Sequence, residues 1–325
     1  MKALTILLVF LSSLVKAQDI HFSQMYTAPL YLNPANTGFF DGSYRTTAIY
    51  RNQWASVTVP YTTFSLSTDW SLRGNQNDIF GIGAVAFSDK AGDSHLTTNM
   101  FEGSLSYNKS LDRLKKLYLN FGLQAGWVQT TIDYSNLTFD ENFEGYPTTE
   151  SFSTNSANYL DINYGVEWYY LIDRETNLSL GFSGFHLNAP IQSYMRDYVV
   201  VPHKYIINAS AAIPVGFVLV AYPKITYSYQ YPHQELVFGV IGKIMDNKTY
   251  GVHRAVYLGA LDRWNDALIV LFKMDINDFS MNLVYDINYS KLAEVSKAQA
   301  GPEIAVQYIG KFKHYKPNKI YCPKF

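Results

Sequence analysis

Leu117-Tyr118-Leu119-Asn120-Phe121-Gly122-Leu123-Gln124-Ala125-Gly126-Trp127 is the stretch that decides the fold. Its odd-numbered residues are apolar, and the residues between them are polar, small or amphipathic. Successive side chains on a strand point to opposite faces, so the segment has one greasy face and one wet face. The pattern outlasts an ordinary globular strand, and it recurs. Leu160, Ile162, Tyr164, Val166, Trp168 and Tyr170 interleave with Asp161, Asn163, Gly165, Glu167 and Tyr169. Met281, Leu283, Tyr285, Ile287 and Tyr289 interleave with Asn282, Val284, Asp286 and Asn288. Many such segments of about ten residues mark a transmembrane barrel, apolar toward lipid and polar toward the lumen. The expected fold is all-β: a transmembrane antiparallel β-barrel of about 14 strands with an N-terminal plug or cap segment.

The remaining pattern agrees. Strands are expected near 44–52, 62–72, 79–88, 95–109, 117–132, 158–172, 177–187, 203–213, 216–229, 234–245, 249–261, 266–274, 279–289 and 302–312. With the mature N-terminus in the periplasm, the longest connections, 133–157, 188–202 and 290–301, all fall on the outer side. Short turns such as Pro214-Val215 and Asp246-Asn247-Lys248 fall on the inner side, the expected asymmetry of outer-membrane barrels.

Lys2 followed by the apolar run Ala3 to Val15 and by Val15-Lys16-Ala17 reads as a signal peptide, 1–17. Its loss leaves 24 basic against 27 acidic residues, which argues against a nucleic-acid partner. Aromatic residues are 16% of the chain, and barrels place them in girdles at both membrane interfaces. Cys322 is the only cysteine, so no internal disulfide forms; it is a free thiol on the tail or a link to a partner.

Two appendages flank the barrel, 41–312. The segment 18–40, with Pro29 and Pro34 and the turn-forming Asn33, is read as a plug in the lumen or a cap beneath it. The tail 313–325 carries Lys313, Lys316, Lys319 and Lys324 and is read as periplasmic, either docking a partner or solvated. Phe312 stands where the terminal aromatic residue of the last strand belongs.

No catalytic chemistry is legible. The seven histidines have no metal-ligand spacing, so no metal and no cofactor is expected. Gly181-Phe182-Ser183-Gly184 only grazes a nucleophile elbow. Asp89 and Asp93 flank a loop turn, and Asp161, Glu167 and Asp286 lie on wet faces with nothing in the sequence to orient them. The protein is not expected to be an enzyme.

Three blocks stand out: Asp19-Ile20-His21-Phe22-Ser23-Gln24-Met25-Tyr26, Pro29-Leu30-Tyr31-Leu32-Asn33-Pro34-Ala35 and Tyr50-Arg51-Asn52-Gln53-Trp54. They resemble blocks of the PorP/SprF family of outer-membrane proteins from Bacteroidetes, which work with the type IX secretion system. Gly81-Ile82-Gly83, Asp89-Lys90-Ala91-Gly92 and Ser183-Gly184-Phe185-His186-Leu187-Asn188-Ala189-Pro190 are similar as well. So are Gly301-Pro302-Glu303-Ile304, which lacks the family's Ser and His before the Glu, and the terminus Cys322-Pro323-Lys324-Phe325. The resemblance implies a component embedded in outer-membrane lipid beside the secretion machinery. Its implied partners are a periplasmic peptidoglycan-linked protein and a secreted adhesin or cargo C-terminal domain, in some species with a role in gliding motility. On this reading Asn33, Pro34, Arg51, Gln53, Trp54, Asp89, His186, Glu303, Phe312 and Cys322 are the structural or partner-contact residues. The alternative is a transporter of small or hydrophobic compounds, similar to fatty-acid-transport barrels. That reading expects an apolar lumenal pocket near Phe22, Met25 and Leu30.

Overall fold

Fourteen antiparallel strands close on themselves, as the period-2 pattern requires. The computed structural model describes residues 19, 21–54, 59–73, 78–92, 95–134, 137, 154–173, 175–194, 198–216, 219–249, 252–291, 293–297 and 299–312. The expected signal peptide, the basic tail and Cys322 lie outside the described residues.

The first seven barrel strands are β1 (Tyr44–Gln53), β2 (Tyr61–Arg73), β3 (Ile79–Ala91), β4 (Leu96–Ser110), β5 (Leu117–Thr131), β6 (Ser156–Leu171) and β7 (Asn177–Phe185). A two-stranded hairpin follows, β8 (Ile191–Gln192) with β9 (Val199–Val200), inside one long connection. The barrel resumes with β10 (Lys204–Val215), β11 (Leu219–Gln230), β12 (His233–Thr249), β13 (Val252–Arg263), β14 (Ala267–Ile276), β15 (Phe279–Asn288) and β16 (Gln299–Gly310). Each barrel strand pairs with the next barrel strand in the chain, β7 with β10 across the hairpin, and β1 pairs with β16 from Tyr44↔Gly310 to Arg51↔Glu303 to complete the ring. Closure leaves the barrel sheet without an edge, the condition for strands in lipid. The last strand ends at Gly310, two residues before Phe312. Phe312 instead donates its backbone N–H to Ser43 Oγ at 3.0 Å and packs its ring on Tyr44.

Burial alternates along the strands as the sequence does. Leu123 is 63% exposed on the outer face, whereas its neighbour Gln124 is 2% exposed and faces inward. Phe121, Ile162, Leu283 and Ile287 are exposed outward; Asn120, Asp161, Asn163, Glu167, Asn282 and Asp286 are buried inward.

The interior is filled by the chain's own beginning. Residues 21–43 run through the ring from the long-loop end to the short-turn end, with one helical turn at Pro29–Leu32 and tighter turns at Met25–Thr27 and Pro34–Asn36. Phe22, Met25, Ala28 and Leu32 form one apolar cluster with the inward-facing Ile49, Phe185, Ile206 and Ala305. Lower down, Phe39 packs edge-on against Tyr118 and Tyr169. Lumen-facing glycines make the room. A Cβ at Gly122 would overlap the Pro34–Ala35 backbone, and one at Gly81 would overlap the Thr37 carbonyl.

Candidate functional site

Polar contacts between this segment and the strands are concentrated in three tiers. At the short-turn end, Arg45 of β1 makes a two-pronged ion pair with Asp69 of β2, at 3.0 and 2.7 Å. Asp69 also accepts the Gly38 N–H at 2.7 Å, and Arg45 donates to the Asn36 carbonyl at 3.1 Å. In the middle, the Asn33 side chain accepts the Ala35 N–H at 2.9 Å, which caps the turn that Pro34 opens. Its Nδ2 donates to the Val166 carbonyl at 3.0 Å and to Glu167 at 3.2 Å. Ser183, the residue of the apparent nucleophile elbow, donates to the Leu32 carbonyl at 2.8 Å.

The third tier lies toward the long-loop end and is the most highly charged. Glu303 of β16 accepts the Ser23 N–H at 2.8 Å, while the Ser23 hydroxyl donates to Asp286 of β15. Arg51 of β1 and Arg263 of β13 reach Asp286 from two sides, at 3.4 and 3.1 Å. Arg51 also lies 3.5 Å from Glu303 and donates to the His21 carbonyl, and Arg263 lies 3.3 Å from Glu235. Two arginines thus face three acids around one serine, and Arg263 also pairs with the more exposed Asp266 at 3.2 Å. This arrangement satisfies charges that would otherwise be prohibitively expensive to bury.

Beside it, His186 sits between two carboxylates. Its Nδ1 is 3.0 Å from Asp161 and its Nε2 is 2.7 Å from Asp19. Lys204 stands 3.8 Å from Asp19, and the Asp19 N–H donates to Gln230 at 3.0 Å. Burial opposes the charged imidazolium, but Asp19 and Asp161 push the His186 pKa up to about 10. Burial likewise opposes the Asp19 carboxylate, yet His186 and Lys204 hold it well below the usual range. Because carboxylates occupy both ring nitrogens, the histidine is a clamp on the first residues of the segment rather than a base facing a nucleophile.

Above these tiers opens a cavity of about 530 Å³. Five of the expected structural or partner-contact residues line it, Arg51, Gln53, Trp54, Asp89 and His186, and so does Asp161. Trp54 follows β1 in a left-handed conformation, φ 56°, with its N–H held by the Ala300 carbonyl at 2.8 Å. Its ring meets Tyr61 edge-on at 4.8 Å. Glu303, Asn33 and Pro34 belong to the tiers below, and Phe312 lies at the opposite end. Phe22 and Leu30 are buried in packing rather than lining the cavity.

Sequence reading missed Arg263, Glu235, Lys204 and Gln230, and it found nothing to orient Asp161, Glu167 and Asp286. The structure corrects that: His186 orients Asp161, Asn33 meets Glu167, and Ser23 with the two arginines holds Asp286. Inward-facing charges in a period-2 strand were the available signal; their partners were not.

An apolar exterior around a closed ring, with charged tiers inside, defines an outer-membrane β-barrel protein. The chain matches the family described as type IX secretion system membrane protein PorP/SprF over residues 14–308, and it belongs to that family. No curated protein sequence matches it significantly. Among solved structures it is similar in fold to the toluene transporter TbuX of Ralstonia pickettii, at 12% identity and a TM-score of 0.52, covering 87% of this chain and 94% of that one. The toluene transporter TodX of Pseudomonas putida is similar at 11% identity and a TM-score of 0.50, covering 90% and 95%.

Proposed function

We propose that the protein is a plugged, non-enzymatic component of the type IX secretion system that supports export or surface anchoring of secreted proteins. The observation that carries this reading is the filled lumen: residues 21–43 run along it, pinned by three tiers of buried polar contacts. A barrel closed in this way works through its surfaces rather than its bore. Its partners on this reading are the secretion machinery, a periplasmic peptidoglycan-linked protein and a secreted adhesin or cargo domain. The tail 313–325 docks the periplasmic partner through its lysines and aromatic residues.

Deleting 18–40 tests the closure. The expected result is a barrel that still assembles but conducts ions across a planar bilayer, with secretion lost. Unchanged conductance and secretion would leave the segment without a role. Truncation after Phe312 tests the tail: the barrel should assemble but no longer co-purify with periplasmic partners.

The alternative, transport of hydrophobic compounds, draws on the fold-level likeness to toluene transporters. The cavity disfavours it. Its wall sets Asp19, Arg51, Asp89, Asp161 and His186 among aromatic and aliphatic side chains, and a small apolar ligand would desolvate those charges without pairing with them.

A further inference from the structure

Asp89 is the charge in this cavity that the tiers leave over. The cavity wall carries Arg51 and His186 as cations and Asp19, Asp89 and Asp161 as carboxylates. Arg51 is committed to Asp286 and Glu303, and His186 to Asp19 and Asp161. Asp89 is half-buried, and among the described residues no cation forms an ion pair with it. Its contact there is one hydroxyl, Thr63 Oγ1, which donates at 2.6 Å.

The sheet builds the surroundings of this carboxylate. One cross-strand row runs Arg51, Thr63, Asp89, Thr98, Thr130 over β1 to β5, all members facing the interior. Asp89 therefore stands among threonines, with its nearest arginine two strands away and already paired. Around the row the cavity is walled by aromatic rings. Trp54 and Tyr61 form one edge-on pair; Tyr31 and Phe87 form another, with centroids 5.9 Å apart. Met100 and Val128 line it too.

A half-buried anion in a cavity lined by aliphatic side chains and aromatic rings, one of which, that of Tyr31, already holds the Lys204 ammonium at 5.6 Å, has one complementary ligand chemistry. It is a cation with weakly hydrated donors on an apolar stem, which the carboxylate pairs and the rings attract through their quadrupoles. An anion would meet the negative Asp89, and a neutral hydrocarbon would desolvate it with the Thr63 hydroxyl alone as its partner. We infer that the cavity at the long-loop end is a binding site for a primary ammonium or guanidinium group on an aliphatic stem, with Asp89 as the counter-ion and Trp54, Tyr61, Tyr31 and Phe87 as the wall. The site is independent of the secretion role: it stands on this cavity alone.

The test is calorimetry on the full-length barrel in a non-ionic detergent, which brings no ammonium of its own. The probes are acetyl-Gly-Lys-Gly-amide, the same peptide with Nε-acetyl-lysine, and n-butylammonium. The cationic peptide or the amine should bind, with the Nε-acetylated peptide at least tenfold weaker. Tighter binding of the peptide identifies a polypeptide side chain as the ligand; tighter binding of the amine identifies a free amine. Asp89→Asn should weaken binding of the cationic probe at least tenfold, and Asp112→Asn, in a turn at the other end, should not. Equal binding of the lysine and acetyl-lysine peptides, binding of no cation, or indifference to Asp89→Asn in an assembled barrel would each overturn the inference. The peptide comparison on the unaltered protein decides by itself if Asp89→Asn does not assemble.

Discussion

Replacing Gly38 by Ala probes how tightly the N-terminal segment is seated. Gly38 has φ +68°, and its N–H is bound by Asp69. A Cβ there would lie 2.5 Å from the Gly81 Cα and 2.8 Å from the Trp70 carbonyl oxygen. Both are backbone atoms of paired strands and cannot swing aside. Carbon atoms prefer separations of about 3.5–4.0 Å, so the segment must move by about 1 Å or more. The left-handed conformation adds about 1–2 kcal/mol for a residue with a Cβ, and overpacking adds about 1–3 kcal/mol. Together these destabilise the seated state by about 2–5 kcal/mol, and about 3 kcal/mol already corresponds to more than a hundredfold change in population. Hydrogen exchange of the amides around Thr37 to Phe40 in the assembled barrel reads this directly, with chymotrypsin sensitivity of the segment as a second probe. Protection should fall by about two orders of magnitude while the barrel itself stays heat-modifiable. Gly103→Ala is the control, because its Cβ faces lipid and meets nothing closer than 4.0 Å. Identical protection in the two variants would show that the segment is not seated as described.

Three further outcomes follow from the same geometry. Leu123→Arg, on the lipid face, should lower barrel stability in urea titrations by about 2–4 kcal/mol, and the apolar Leu123→Met should not; a loss under 1 kcal/mol for the arginine would put the register in error. Arg51→Met leaves Asp286 and Glu303 short of a cation in the interior, so it should cost about 3–5 kcal/mol in the same titration; a loss under 1 kcal/mol would mean the third tier is hydrated rather than buried. The His186 clamp sets a pH window for the top of the segment. The raised His186 contributes fully below its ordinary 6.5 and is lost as pH rises through about 10. The depressed Asp19 contributes fully above its ordinary 3.8 and is lost as pH falls below it. Exchange protection at residues 21–24 should therefore fall toward pH 10 in the native chain and lose this alkaline step in His186→Asn; a step that persists in the variant would assign it to another group.

The ring of strands was legible because each strand reports its own faces. Leu119, Phe121 and Leu123 alternate with Asn120, Gly122 and Gln124, and no distant residue is needed to read that. The filling was less legible because its contacts are remote. Ser23 and Glu303 are 280 residues apart, and Asp19 and His186 are 167 apart, with no spacing rule to join them. The family-like blocks carried more than they first showed: Ser23, Arg51, Asp89, His186 and Glu303 come from five separate blocks and meet in one half of the lumen. The lumenal glycines were visible at period 2, yet their purpose was not. Gly81 and Gly122 make room for a segment whose path appears only once the ring is closed.

Affinity purification of the tagged full-length protein from native outer membranes tests the central claim most directly, because a plugged secretion component and a transporter leave different company behind. The account predicts co-purifying components of the type IX secretion machinery and no bound hydrophobic compound in the lumen. A preparation free of secretion partners that carries a hydrocarbon-like ligand inside the barrel would contradict it.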